Sequence, residues 1–553
     1  MKFHSLLVLP GLLHLAAASC SKQCTFDSIV PSTTLTWCPC YDGFFCAKLD
    51  VPLDYQNPDF ARASVPIIKY PAASNSSFGP YQGMVLLNPG GPGGSGVNLA
   101  RENGTLVQAV VGNNVDVVGF DIRGTWLSKP VANCSGNLNL RRNVSLTSRF
   151  VPRLLDEYYE SYIEYGKELG AECEKTSGGE TGAGRYMSTA IIARDMLSIV
   201  DAFAQTDDGA RAAKPSHLLN YYGISYGSFL GQTFASMFPD RVGNVILDGI
   251  LSPEGYLANG VSNGINHLDG IIASFFVYCH EAGQAACSYY TGSTPRDIYE
   301  RFNRSFTQLD PQKAEALNWS NATDINLALL TLKVGLLTAA HSPLDIFGIL
   351  SPILTALEGA LSTQSITTWT SQVMAIIGDP TVAGYENPEW SLGVACSDED
   401  NRWYNKTLSD IRPLLADLQE QSIIGEVWSR SWLGCLGWSI KASEIFTGPF
   451  GGDTATPILF VSNTHDSVTP IENAISSAPK YKNAQILTID GTGHTMVATQ
   501  NKCAFAKVAA YFQANQMPGE DSFCPLEAGP FGIVLNGTLQ ENIDQAGLSD
   551  LVH

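Results

Sequence analysis

The sequence predicts an α/β fold: a mainly parallel sheet with helices on both faces, interrupted by a large helical cap. Three observations predict it. Short, largely apolar runs alternate with helical patterns in the first half of the chain. Helical period then dominates from about Ser252 to Phe450. Strand-like runs resume after Phe450, too few to form an independent sheet, so two sequential domains fit less well. Strands that are apolar throughout are buried on both sides, as in a parallel sheet between helix layers.

In chain order, Met84 to Leu87 is the first clear strand and stops at Asn88-Pro89. Val115 to Phe120 is the second and stops at Asp121. Between Thr189 and Phe203, the residues Ile191, Ile192, Met196, Ile199 and Val200 share one helix face. Leu218 to Tyr222 is a third strand, followed by a glycine turn and a helix from Ser228 to Phe238. Val245 to Leu247 is a fourth. Ile458 to Val461 and Gln485 to Ile489 resume the sheet. The expected organisation is an export signal at 1–18, a first core part at 19–250, the cap at 251–450, a second core part at 451–525 and a tail at 526–553.

Composition narrows the function. Against 33 basic residues stand 53 acidic ones, a formal charge of −20. Such a surface repels phosphate backbones, so no nucleic-acid partner is expected. Lys2, the apolar stretch Leu6 to Leu15 and Ala16-Ala17-Ala18 read as a cleavable export signal. That stretch is too short to span a bilayer, and no membrane anchor is expected. There are 13 cysteines; in an oxidising compartment they would pair, with at least one left over within the chain. Cys38-Pro39-Cys40 is not a C-x-x-C pair and no second C-x-x-C or His pair accompanies it, so no metal is expected; no cofactor is expected either. Nine N-x-S/T sequons occur, at Asn75, Asn103, Asn133, Asn143, Asn303, Asn318, Asn321, Asn405 and Asn536. Beside a signal peptide they indicate a glycoprotein that is secreted or held in the lumen of the secretory pathway or vacuole.

The chemistry is carried by Gly223-Ile224-Ser225-Tyr226-Gly227, a G-x-S-x-G motif after an apolar strand and before a helix. A sharp strand-to-helix turn lifts the serine hydroxyl above the sheet, and the following helix N-terminus favours developing negative charge. A hydroxyl needs a base. The order expected for this α/β-hydrolase arrangement is serine, acid, histidine. Asp466 follows the strand ending at Val461 and is the candidate acid; the plainer reading is a turn aspartate capping the next helix. His465 beside it reads as a loop residue. His494, after two glycines in Asp490-Gly491-Thr492-Gly493, is the candidate base, its glycines suiting a tight loop. The loop Asn88-Pro89-Gly90-Gly91-Pro92-Gly93-Gly94-Ser95-Gly96 offers backbone N–H groups that, with Tyr226, would bind an oxyanion. It lacks the lysine and hydroxyl of a phosphate-binding loop.

Together these elements resemble the tripeptidyl-aminopeptidase-like branch of the prolyl aminopeptidase family of α/β-hydrolase serine peptidases. The resemblance runs from about Cys46 to Cys524. It rests on Val51 to Tyr55, the NPGGPGGSG loop, Asp121-Ile122-Arg123-Gly124, Gly223 to Gly249, Phe275-Phe276, Ala395 to Asp398, Asp466 to Pro470 and Gly493 to Thr495. It implies Ser225 as nucleophile, Asp466 as acid and His494 as base. It also implies an oxyanion hole from the amides of Gly91 (Gly90 being the alternative) and Tyr226. Disulfides Cys134–Cys173, Cys279–Cys287, Cys396–Cys435 and Cys503–Cys524 follow from the same resemblance; the five N-terminal cysteines stay unassigned. The family carries a small residue two positions after the glycine of the D-x-R-G turn, where this chain has Trp126. A reshaped pocket mouth and an aromatic or lipophilic substrate are the expectation there.

The implied activity is acyl transfer to water, on a peptide or small-molecule substrate. An exopeptidase would need cap carboxylates for the α-ammonium, and Glu254, Asp269 and Glu281 are candidates. An esterase, amidase or lactonase acting on a small metabolite is the second reading, hinted at by Trp126. A dead hydrolase fold used for binding is the third, and a complete triad argues against it.

Overall fold

In the computed structural model, which describes residues 23–134, 156–259, 264–310, 322–378 and 387–551, the apolar runs do assemble into one sheet. Its ten strands are β1 (Cys38–Cys40), β2 (Phe44–Pro52), β3 (Arg62–Tyr70), β4 (Met84–Asn88), β5 (Asp116–Phe120), β6 (Leu219–Ile224), β7 (Val242–Asp248), β8 (Leu459–His465), β9 (Gln485–Thr492) and β10 (Phe523–Cys524). They lie in the order β1-β2-β3-β5-β4-β6-β7-β8-β9-β10. From β5 to β10 all pairings are parallel. Every residue of β4, β5 and β7 is buried, as strands covered on both faces must be.

Three strands precede Met84, where the sequence reading began. β1, β2 and β3 form an antiparallel extension, joined to the parallel sheet by antiparallel pairing of β3 with β5. β2 alternates buried and half-buried positions and carries Lys48 and Asp50, so it lacks the wholly apolar signature. Pro66 sits inside β3, where its carbonyl accepts the Asp121 N–H but proline has no N–H to return, and the β3–β5 ladder starts only at Ile67. β8 and β9 also run further than expected. β8 includes His465, and β9 runs through Asp490 and Gly491 to Thr492.

The described helices used below are α1 (Gly96–Val111), α2 (Asp156–Ser177), α3 (Thr189–Ala204), α4 (Tyr226–Met237), α5 (Leu268–Ala286), α6 (Ala322–His341), α7 (Pro343–Thr363), α8 (Pro388–Asp398), α9 (Lys502–Ala514) and α10 (Leu539–Gln545). One face of the sheet is covered by α1 and α9 through Val97, Val107, Val508 and Phe512. The other is covered by α3 and α4 through Ile192, Met196, Phe229 and Phe234. The described residues between 253 and 437 are helical apart from their connections, and their core gathers Phe275 and Phe276 of α5, Leu332 and Leu336 of α6, and Phe347 and Leu354 of α7. Helix α7 is long and apolar enough by composition to cross a membrane, and 44% of its most apolar stretch is buried in this core.

Two elements reach the cap from outside 251–450. Helix α10, in the C-terminal segment, buries Leu539 and Ile543 in the cap core. Helix α2 lies against the segment Leu433–Gly437, where Cys134–Cys173 and Cys396–Cys435 share one apolar cluster with Leu169 and Trp438. Cys279–Cys287 and Cys503–Cys524 are also formed, and the N-terminal cysteines pair as Cys24–Cys38 and Cys40–Cys46. Cys20 and the expected export signal lie outside the described residues, as do Asn143, Asn318 and Asn321. Of the other sequons, Asn75, Asn133, Asn405 and Asn536 are exposed, while Asn103 and Asn303 are half-buried.

Candidate active site

Because the central strands are parallel, their C-terminal ends share one edge, and the loops leaving that edge build the site. Strand β6 ends at Ile224 and α4 begins at Tyr226, so Ser225 alone makes the turn, at φ 57° and ψ −122°. Such a backbone is strained for a non-glycine residue and persists only where its surroundings fix it. Part of that support is visible: the Ser225 N–H donates to the Asp248 carbonyl at 2.9 Å. The flanking glycines have a steric cause. A Cβ on Gly223 would stand 2.4 Å from the Gly227 carbonyl oxygen. The helix therefore starts at Tyr226, two residues before the expected Ser228, and its N-terminus abuts the serine.

Asp466 directly follows β8 and is fully buried. Its Oδ1 accepts the N–H groups of Val468 at 3.0 Å and Thr469 at 2.9 Å, and its Oδ2 accepts that of Thr495 at 2.9 Å. His494 Nδ1 lies 2.9 Å from Oδ1 and 3.1 Å from Oδ2. Burial alone would raise this carboxyl's pKa, but the His494 charge and hydrogen bond, with the backbone donors, hold it below its ordinary value. On the imidazole the signs reverse. Burial opposes the charged form, yet Asp466, helped by Asp248, keeps the His494 pKa above its ordinary value. A carboxylate can only accept, so Nδ1 carries the proton and Nε2 keeps its lone pair. Thr469 Oγ1, at 3.2 Å, also faces Nδ1.

Asp248, at the end of β7, links the serine turn to the histidine loop. Besides accepting from Ser225 N through its carbonyl, its Oδ1 accepts Met496 N at 2.8 Å and its Oδ2 accepts the Tyr222 hydroxyl at 2.7 Å. Burial pushes its carboxyl up to about 6.

Ser225 and Tyr226 open into a cavity between the sheet edge and the cap. Gly91, Pro92, Val468 and Thr469 line it from the core, and Tyr256, Ser391, Glu399 and Trp432 from the cap side. The Gly90 N–H donates to Asn88 Oδ1 at 2.9 Å, whereas Gly91 stands in the cavity wall beside Tyr226. Among the described residues no group of three or more His, Cys, Asp or Glu is placed to hold a metal ion.

Residues 83–275 match the family model described as alpha/beta hydrolase fold, and residues 421–524 match the model described as TAP-like protein. The chain is an α/β hydrolase with a TAP-like C-terminal segment. It is similar to serine protease Hip1 of Mycobacterium tuberculosis, at 25% identity over 88% of this chain and 90% of that one. Tripeptidyl aminopeptidase of Streptomyces lividans is 22% identical over 88% of this chain and 84% of its own. A protein named carboxylesterase B from Mycobacterium tuberculosis is 26% identical over 87% and 86%. The hydrolase is of the serine type.

Other residues singled out in the sequence lie elsewhere. Trp126 does not line the cavity. At φ 44° its indole N–H donates to the Gly93 carbonyl at 2.8 Å, and its ring lies 4.9 Å from that of Trp390. It ties to the glycine loop through this bond. Glu254 is 61% exposed and pairs with Lys480 at 2.5 Å. Asp269 is buried and accepts from Ser422 Oγ and the Ile423 N–H. Glu281 is exposed beside His280. None of the three faces Ser225. His465 is not a loop residue: it ends β8, is buried, and its Nε2 lies 3.1 Å from Gln540 Oε1.

The carboxylate that does face the cavity is Glu399, just past the end of α8. It is 1% exposed, and among the described residues its Oε2 has no hydrogen-bond partner. Burial pushes its carboxyl up to about 8, with Arg402 opposing and Asp398 adding. Neighbouring Asp398 accepts from the Thr189 N–H and hydroxyl and from the Tyr256 hydroxyl, and burial raises it to about 7. The only signal in the sequence is a run of three acids, Asp398-Glu399-Asp400, at the end of an apolar helix.

The glycine loop offers a steric test. A Cβ on Gly90, at φ +88°, would meet the Ile224 carbonyl at 2.4 Å, and Ser225 Cβ and Tyr226 N at 2.9 Å each. These are backbone or turn atoms that cannot swing away. Gly90→Ala is expected to displace the serine turn and lower kcat by about 100-fold or more. Steady-state turnover beside a melting curve checks this, and a variant as active as the parent would contradict it.

Proposed function

We propose that this hydrolase is a secreted aminopeptidase that cleaves an amide bond near a free amino terminus through an acyl-enzyme on Ser225. Glu399 carries the reading: a buried carboxylate in the same cavity as Ser225, with one oxygen that no described residue partners. Buried charge is stable only when paired, and an α-ammonium is the partner such a carboxylate lacks. In the reaction His494 Nε2 takes the Ser225 proton as Oγ attacks the carbonyl, then returns it to the leaving amine. Asp466 holds the imidazole tautomer and stabilises the imidazolium. The amides of Gly91 and Tyr226 receive the oxyanion. Water then attacks the acyl-enzyme by the same steps. Six disulfides and the exposed sequons support export.

The esterase reading loses its sequence hint, since Trp126 stands outside the cavity, but the similarity to a protein named carboxylesterase B keeps aryl esters in the test. Free and N-acetylated aminoacyl and tripeptidyl anilides, beside simple aryl esters, separate the two readings. Glu399→Gln is expected to lower kcat/KM for free amino termini about 10- to 100-fold, leaving acetylated substrates and esters nearly unchanged. The pH profile follows from the proton count. The bound pair holds one proton, on nitrogen. Below both pKa values the free partners hold two, and above both they hold none. With Glu399 at about 8 and an α-amino group near 7.7–8.0, kcat/KM for free termini should peak near pH 8. Acetylated substrates should lack the alkaline fall. Equal losses on both substrate classes would refute the ammonium site.

A further inference from the structure

Cap helix α6 ends at His341, directly against His494. The His494 N–H donates to the His341 carbonyl at 2.9 Å. The two imidazole rings stand edge to face, their centroids 5.5 Å apart with planes at 65°. His341 is itself fixed. Its Nδ1 lies 2.9 Å from the Leu337 carbonyl, which can only accept, so Nδ1 carries the proton and the ring is tied to its own helix turn. Ser467 Oγ, next to Asp466, lies 3.4 Å from the same nitrogen. Burial, with His494 adding, pushes the His341 pKa down to about 4, so the ring is neutral at working pH and is no proton carrier. The chain then turns into α7 at Pro343, and the pair encloses the loop before the base. A Cβ on Gly493 would meet Pro343 Cδ at 2.8 Å and the His341 carbonyl at 3.0 Å.

The need for such a neighbour follows from the geometry of His494. Asp466 grips one edge of the imidazole, at Nδ1. A ring held at one edge still turns about its side-chain torsions, and a base displaced by about 1 Å loses on the order of 100-fold in rate. We infer that His341 is a positioning residue for His494: its ring is the wall that stops the base turning away from Asp466, and its carbonyl ties the base's loop to the end of cap helix α6. This rests on the triad reading above. The second imidazole is held as a neutral wedge, and the cap thereby helps fix the catalytic geometry in addition to enclosing substrate.

Three variants test it. His341→Ala is expected to lower kcat about 10- to 100-fold with KM within about threefold, because the base and not the substrate is disturbed. The titratable groups facing the base are Asp466, Asp248 and His341. Removing the ring admits water to His494, which eases the burial opposing its charged form. The acid limb of kcat should therefore move to higher pH by about 0.5 or more. His341→Phe keeps a ring edge without a titrating nitrogen and should recover kcat to within about fivefold of the parent. His494→Ala separates this inference from the reading beneath it. If His494→Ala turns over like the parent, the triad reading falls. If it is inactive while His341→Ala stays within about threefold of the parent with its acid limb unmoved, the positioning role alone is overturned. A His341→Phe variant that melts with the parent yet is as slow as His341→Ala overturns it too.

Discussion

Ser225→Ala is expected to lower kcat by about 10⁴-fold or more. The reason is chemical rather than structural. Ser225 sits at φ 57° and ψ −122° between β6 and α4, and the Asp248 carbonyl holds its amide. Alanine has no greater difficulty with that backbone than serine, so the variant should fold. What disappears is the oxygen that His494 would activate and that would carry the acyl group. The residual rate would come from the Tyr226 and Gly91 amides and from substrate binding. A fluorophosphonate probe should label the parent at Ser225 and leave the variant untouched, with the melting temperature nearly the same. Turnover of the variant within about tenfold of the parent would remove Ser225 from the mechanism, whatever the probe shows.

The parts legible in the sequence were those whose environment is uniform. β4, β5 and β7 are buried on both faces, so apolar runs expose them, and loops that follow such strands are natural places for an acid and a base. The antiparallel extension is different. Lys69 in β3 is buried because Asp208, at 2.7 Å, and the Trp37 ring, at 4.6 Å, receive its charge. Both partners are distant in sequence, so the residue type misleads. Glu254 and Glu399 make the same point at the site. Both are glutamates beside helix ends in the insertion, yet one is 61% exposed and paired with Lys480, while the other is 1% exposed in the cavity wall. Only tertiary packing distinguishes them. Trp126 stands out in the sequence by its size, but its indole N–H is committed to the Gly93 carbonyl, a partner 33 residues away that no local pattern shows. His341 carries no local signal, because its importance arises where the end of one helix meets the loop after β9.

Asp466→Asn is expected to lower kcat by about 10⁴-fold, through the tautomer of His494. Among the described residues, every partner of this carboxylate is a donor: the N–H groups of Val468, Thr469 and Thr495, and His494 Nδ1. An amide NH₂ in the same place must face at least one of them, donor against donor. Turned toward the imidazole, it forces the proton onto Nε2, where the base can no longer take one from Ser225. Turned toward the backbone, it leaves a buried N–H unpaired, which costs about 1–3 kcal/mol. The pH dependence follows from the signs. In the parent, Asp466 raises the His494 pKa above 6.5 against the opposing effect of burial. Without the charge burial prevails, so the acid limb of any residual activity should move to lower pH. Stability responds from both sides. The lowered carboxyl contributes stability that is present above 3.8 and is lost as pH falls through its folded value. The raised imidazole contributes stability that is complete below 6.5 and fades as pH rises through its folded value. The gap in melting temperature between parent and Asp466→Asn should therefore be widest between those two ordinary values, where both charges are present, and should close toward strong acid. A gap that does not change with pH, or an acid limb that stays in place, would show that Asp466 does not act through the charge of His494.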